Sequence, residues 1–246
     1  MHPGFAPYRR ALEALGGFGT VPAIDELNRV ARASRLALPD GTPLRFEMAP
    51  PRRTSALQYE RKIGGEGAIE FRQGNWHDFA NALVWLEFPL IKAALTVVHL
   101  RDGLRATPNR RSRARDAATL FDEAGLIFVC ADAEMIALLR AWEWRELFWT
   151  RRDDVAQSTQ AIVVGHGLLE RLRAPYRALT AQALMVQNGM LRSSAQIDAA
   201  AAALIRADDF APQSLTPLPI AALPGWDTER LGERLFDDSE VFRRRR

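Results

Sequence analysis

Residues Gly74 to Pro89 read GNWHDFANALVWLEFP, with two Trp, one His, one Asp and two Asn in what otherwise has the pattern of a buried helix. Asn75 is placed to cap that helix, and Asp78 falls in its first turn, where the helix dipole favours an acid. Trp76, Phe79, Leu83 and Leu86 recur at helical spacing, and Val84 and Phe88 widen the apolar surface to most of the circumference. A helix that is apolar nearly all round is buried. His77 and Asn81 are four residues apart and so lie on one face, with Trp85 continuing the line. A buried imidazole or amide left without a partner costs about 1–3 kcal/mol. Two readings follow. Either His77 and Asn81 belong to a working site, or they bond neighbouring backbone while Asp78 merely caps. Pro89 then starts a second helix running to about Leu100. Its apolar face is Ile91, Ala94, Leu95 and Val98, which predicts an exposed face of Lys92, Thr96 and His99.

Working outward, Phe5–Leu15 and Val21–Arg35 are predicted helices, and Leu44–Met48 alternates like a strand. Tyr59–Ile63 and Ala68–Arg72 flank Gly64-Gly65-Glu66-Gly67 and are predicted to form a hairpin. Downstream, Ala118–Phe121 and Leu126–Cys130 are joined by Asp122-Glu123-Ala124-Gly125, a second predicted hairpin with a positive φ at Gly125. Asp132 caps a Trp-rich helical region, and helices are predicted over Val155–Arg173, Leu179–Gln187 and Ala195–Arg206. From Ala211 the chain becomes Pro-rich. The sum is an α+β protein, a predominantly helical single domain with two short β-hairpins. Its globular body is 1–210, and 211–246 is an extended Pro-rich C-terminal tail wrapped on it. No clean alternation of strand and helix predicts a doubly wound sheet.

Charged residues are 26% of the 246, which places the chain among ordinary globular proteins rather than disordered ones. No apolar run reaches the roughly 18 residues of a membrane span. The N-terminus lacks the basic-then-apolar layout of a secretory signal, so a cytoplasmic location without membrane association is expected. Cys130 is the single cysteine, which excludes an internal disulfide framework and a cysteine-based zinc site. The net charge of +3 is unevenly distributed. Arg101 to Arg115 holds six Arg against Asp102, and Arg243–Arg246 adds four more. Without those nine charges the rest of the chain stands at −6. Such local excess is expected of a surface that meets an anionic small molecule or nucleic acid, although clustered Arg also serves as a plain solvated face.

His166 sits in Ile162-Val163-Val164-Gly165-His166-Gly167-Leu168-Leu169, and each glycine costs about 1 kcal/mol against Ala if the segment is a helix interior. Close packing of a neighbouring element or access for a ligand would account for that cost. Asp122-Glu123 lies at the tip of the second predicted hairpin, seven residues beyond the Arg cluster, where sites are often presented. His77, His166 and one acid make the common two-His-one-carboxylate metal set, and without a metal the same residues suit a His general base oriented by Asp. Sequence spacing chooses neither. The Gly-x-Ser-x-Gly elbow of hydrolases and the dinucleotide fingerprint are both absent. GGEG lacks the following helix and Lys-Ser/Thr of a phosphate loop. Trp142, Trp144 and Trp149 stand among Leu138, Leu139, Leu147 and Phe148, which predicts core packing rather than base stacking.

GNWHDFANALVWLEFP, RDAATLFDEAGLIFV, WRELFW, GHGLLERL and LTAQAL, in this order from about Tyr59 to Leu184, together with LPGW and LFDDSEVFR in the tail, resemble the bacterial domain-of-unknown-function 3025 family. The resemblance implies membership and, with no activity assigned to that family, no reaction. That its blocks include His77, Asp78, Asp122, Glu123 and His166 favours a shared site over accidents of packing. The expectation is a hydrolase of an anionic, phosphate-containing substrate. In it His77 acts as general base or metal ligand, Asp78, Asp122 or Glu123 completes the site, and His166 is the second imidazole. Asn81, Arg110, Arg111, Arg113 and Arg115 would hold the substrate, since Arg forks suit phosphate. The alternatives are a non-catalytic nucleic-acid- or protein-binding domain using the Arg101–Arg115 segment, and a small-ligand sensor. Metal, cofactor and oligomeric state stay open. Convergence of His77, His166 and an acid within about 5 Å would favour the enzyme.

Overall fold

In a computed structural model of the chain the described residues are 1–52, 54–105, 112–227, 229 and 232–243, the side chains of 102–105 excepted. The central element is a strand buried at every residue, β3 (Gly125–Cys130, GLIFVC). Such an unbroken apolar run suits a strand covered on both faces. It pairs antiparallel with β4 (Thr159–Val163) and parallel with β5 (Thr180–Val186), and β5 pairs antiparallel with β6 (Leu215–Pro219). The order is β4-β3-β5-β6. A smaller parallel pair joins β1 (Arg45–Met48) to β2 (Ala68–Phe71).

The helices in chain order are α1 (Arg9–Ala14), α2 (Ile24–Ala33), α3 (Ala56–Glu66), α4 (Trp76–Glu87), α5 (Pro89–Arg105), α6 (Arg113–Ala124), α7 (Ala133–Ala141), α8 (Arg152–Ser158), α9 (His166–Arg171) and α10 (Ser194–Arg206). The mixed, mainly helical class and the single core stand, with buried residues of one cluster running from Phe5 to Phe242. No helix among the described residues is long and apolar enough to cross a membrane. The apolar helices α4 and α5 are instead bent by 110° at their junction. Phe88 leaves the helical conformation there, and Pro89 opens α5. Asp198 of α10 holds the start of α5, accepting from the N–H groups of Leu90 and Ile91 at 2.9 and 2.8 Å.

Neither predicted hairpin exists. Residues 56–66 are helical because Ser55 accepts from Gln58 N–H while Gln58 Oε1 accepts from Ser55 N–H. That reciprocal cap is a helix start, and it outweighs the GGEG turn signal. Gly67, at φ +65°, ends α3, and the flanking strands β1 and β2 pair in parallel across it. In the second case Ala114, Ala117, Ala118 and Phe121 share a helical face, so Asp122 and Glu123 lie in the last turn of α6 and not at a hairpin tip. Gly125 has φ −66°, so no positive φ is needed; a Cβ there would stand 2.3 Å from the Phe121 carbonyl oxygen. Two predicted helices also fail. Val155–Arg173 is divided among α8, β4 and α9, and Leu179–Gln187 is β5. The Ala, Leu, Met and Gln of β5 favour helix locally, but pairing on both sides decides the outcome.

The Pro-rich segment is more than a wrapping tail, since β6 completes the main sheet at its edge. Pro217 and Pro219 fit an edge, where their missing N–H groups forfeit no ladder bond. Beyond it Leu235 and Phe242 are buried, and Trp144 Nε1 donates to the Arg243 carbonyl at 2.8 Å. Of the Trp-rich segment, Trp144, Leu139, Leu147 and Phe148 are buried, as the core reading expects, whereas Trp142, Trp149 and Leu138 are only partly so.

Candidate functional site

Four helices bring one polar cluster together. α4 presents His77, whose Nδ1 lies 3.0 Å from Glu170 Oε2 on α9. His166, the first residue of α9, places its Nε2 3.0 Å from His77 Nε2. Glu123, at the end of α6, has Oε1 3.9 Å from His77 Nε2 and 3.6 Å from His166 Nε2. Its neighbour Asp122 lies behind His166, with Oδ1 3.6 Å from Nδ1 and 2.5 Å from Lys92 Nζ of α5. Both imidazoles thus turn Nε2 toward one point and Nδ1 toward a carboxylate. His166, Lys92 and Asp122 form the enclosed side, while the side chains of His77, Glu123 and Glu170 are 34%, 52% and 36% exposed and face solvent.

The two glycines around His166 explain how the elements approach so closely. Val164 and Gly165 N–H groups both donate to the Gly125 carbonyl, at 2.9 and 2.8 Å, which clamps the end of β4 onto the start of β3. A Cβ at Gly165 would lie 2.2 Å from Gly125 N, and one at Gly167 would lie 2.4 Å from Glu123 Oε2. The glycines therefore allow α9 to rest directly on the end of α6 and bring Glu123 to the imidazoles. Tyr8 supports the same end of β4 from below, donating its hydroxyl to the Val163 carbonyl at 2.6 Å.

Burial alone would push the Asp122 carboxyl up, but the Lys92 ammonium, aided by His166, holds it well below the usual carboxylate range. Glu60 of α3 behaves oppositely. Burial pushes it up to about 7 against the pull of a Thr96 hydrogen bond, and Asp122 adds to the rise. Its Oε2 is enclosed without a hydrogen-bond partner among the described residues. Because the folded value exceeds the ordinary 4.5, Glu60 favours the folded state most below that pH, and stability is lost as pH rises toward 7. Glu60→Gln is expected to gain about 2–3 kcal/mol on the parent between pH 4 and pH 8. Urea unfolding at the two pH values measures this, and an equal difference at both would contradict the assignment.

The sequence candidates separate cleanly. His77, His166, Asp122 and Glu123 meet. Asp78 does not join them, because both its oxygens are engaged by Arg72, through the backbone N–H, Nε and Nη2 at 2.7–2.9 Å. Asn81 donates to the Tyr59 hydroxyl at 3.1 Å, inside the helical layer. Arg113 donates to Gln213, and Arg115 lies toward Glu60. Both stand at the start of α6, about 15 Å of helix rise from Glu123 in the case of Arg113. Arg110 and Arg111 lie outside the described residues. Lys92, Thr96 and His99 are buried, not exposed as their helical face predicts. The sequence reading missed Glu170 and Lys92. Glu170 follows His166 by four residues, the spacing that links His77 to Asn81. Lys92 is one of two Lys among 33 basic residues, in a chain that otherwise uses Arg.

The family model described as protein of unknown function (DUF3025) matches residues 44–246. The chain belongs to this family. No curated protein and no solved structure matches it. In this DUF3025 protein every residue of the cluster lies inside the matched region, whereas α1 and α2 precede it. The cluster is therefore assembled from the part of the chain that defines the family.

Proposed function

We propose that the chain is a hydrolase acting on a phosphate-containing substrate, with His77 and His166 as its proton-transferring pair. The observation that carries this reading is the meeting of the two Nε2 atoms beside Glu123 on a solvent-facing surface. Glu170 orients His77 through Nδ1, which turns Nε2 to the shared point beside His166 Nε2, where it would take a proton from attacking water. His166, backed by Asp122 and Lys92, is placed to return a proton to the leaving oxygen. A carboxylate-oriented imidazole of this kind contributes about 10²–10⁴-fold by general acid–base transfer. The anionic substrate is supported by Arg173, which lines a cleft with Glu170 and stacks 3.6 Å over Trp76.

The purified full chain is expected to hydrolyse either p-nitrophenyl phosphate or bis(p-nitrophenyl) phosphate, and His77→Ala to lose at least about 100-fold in kcat. Absence of turnover on both esters, or an unchanged rate in His77→Ala, would overturn the proposal. A second reading, a nucleic-acid-binding surface without catalysis, is favoured by the distance between Arg113 and the imidazoles. A surface for a long polyanion needs no shared site. In that case Arg113→Ala lowers the slope of log affinity against log salt by about one for single- or double-stranded probes.

A further inference from the structure

We infer that His77, His166 and Glu123 form a binding site for one divalent transition-metal ion of the zinc class, with an open fourth position toward solvent. The proton inventory of the cluster points to it. Both Nδ1 atoms face carboxylates: His77 Nδ1 is in hydrogen-bond contact with Glu170 at 3.0 Å, and His166 Nδ1, buried and without a hydrogen-bond partner among the described residues, faces Asp122 at 3.6 Å, so each Nδ1 is placed to carry the proton of its ring. Two neutral imidazoles protonated at Nδ1 then meet lone pair to lone pair across 3.0 Å at Nε2. A cation between them removes that conflict. Moving one proton to the Nε2–Nε2 contact also removes it, but strips a proton from an Nδ1 that faces a carboxylate.

Distance and charge agree. A four-coordinate ion with bonds of about 2.0–2.1 Å sets its ligand atoms about 3.3 Å apart, and an octahedral one about 2.9 Å. The three separations, 3.0, 3.6 and 3.9 Å, lie around the tetrahedral value. Two imidazoles and one carboxylate are a borderline donor set suited to zinc, with water as the fourth ligand. Three carboxylates, Asp122, Glu123 and Glu170, surround the two imidazoles, with Lys92 paired to Asp122 and with Arg72 and Arg173 beside Glu170. That surround of carboxylates suits a divalent cation between the Nε2 atoms. Asp122 and Glu170 act as positioning residues, holding each ring by the nitrogen opposite the ion, as carboxylates do behind metal-bound histidines.

The test uses the full chain after treatment with a chelator and its removal. Titration calorimetry with zinc sulfate is expected to give one site per chain, and Co²⁺ in its place the intense visible absorption of a tetrahedral complex. Glu123→Gln, half-exposed and harmless to the fold, is expected to weaken zinc binding at least about 10-fold, and His77→Ala at least about 100-fold. Asp122→Asn is expected to weaken it about 10–100-fold. Circular dichroism confirms that each variant is folded. Failure of the folded parent to bind zinc, or parent-like affinity in Glu123→Gln or in His77→Ala, would overturn the inference. The ion would take the same two Nε2 atoms that the proton transfer proposed above uses, so the two readings are alternatives at this site. Zinc bound without ester hydrolysis sustains the metal and removes the hydrolase, whereas ester turnover by a folded chain that binds no zinc does the reverse.

Discussion

Lys92→Met is expected to cost about 3–5 kcal/mol at neutral pH, the range for removing one partner of a buried ion pair. Lys92 Nζ is 2.5 Å from Asp122 Oδ1, and their side chains are 5% and 20% exposed. Without the ammonium, burial dominates and the Asp122 carboxyl rises instead of being held down. The sign of the pH dependence follows. In the parent, Asp122 is held below its ordinary 3.8, so its pairing stabilises the fold above that pH and is lost only as pH falls through the depressed value. In the variant the lone carboxylate is penalised when charged, so the deficit is fullest above about pH 6 and narrows toward pH 4 as the group protonates. Lys92→Met with Asp122→Asn removes both charges and should recover most of the loss. Urea denaturation of parent, single and double variants at pH 4 and pH 7 gives the answer. A single-variant cost below about 1 kcal/mol, or one independent of pH, would mean that the pair is not buried as described.

Gly165→Ala is expected to cost about 3 kcal/mol, at the upper end of overpacking effects. The backbone at Gly165 is extended, with φ −69° and ψ 114°, a conformation any residue adopts. The penalty is therefore wholly steric. A Cβ would meet Gly125 N at 2.2 Å, Ala124 C at 2.5 Å and Ala124 Cα at 2.6 Å, all backbone atoms of the α6–β3 junction. They cannot move without separating β4 from β3 and drawing His166 from Glu123. Gly65→Ala is the control. It lies in α3 with nothing within 4 Å of a built Cβ, so the helix is expected to gain up to about 1 kcal/mol. Thermal unfolding of the two variants separates the cases. Comparable stability of Gly165→Ala and the parent would show that the junction yields, and the account of the glycines around His166 would fail.

Much of the local structure was legible where the signal is short in range. Asn75 accepts from Asp78 N–H at 3.0 Å, as the capping pattern predicts, and Pro89 separates α4 from α5. The α10 pattern, with Ile197, Ala201 and Ile205 on one side, matches a helix with those residues buried. The errors share a cause. Glycines at 64, 65 and 125 resemble turn residues, yet Gly64 lies where a Cβ would meet Leu100 at 2.8 Å, and Gly125 lies tight against Phe121. A glycine chosen for close approach and one chosen for a positive φ look alike in sequence. The strand β5 was unreadable for a different reason, since its neighbours β3 and β6 are distant in the chain and its own residues favour helix.

By itself the sequence determined that Gly74–Pro89 is a buried helix carrying an imidazole, because helical period and capping depend only on residues a few positions apart. It also singled out His166, Asp122 and Glu123 as unusual in their settings. Only the tertiary structure decided that His77 meets His166, that Glu170 and Lys92 complete the cluster, and that Asp78 is spent on Arg72. The contacts of the cluster join positions 30 to 93 residues apart, and the Asp78–Arg72 pair, six apart, depends on which way the first turn of α4 directs its acid. Side-chain direction at the end of α6 is set by the helix itself, and the hairpin misreading hid it. The packing of α9 onto that end, through glycines that no local pattern explains, turned separate polar residues into one site.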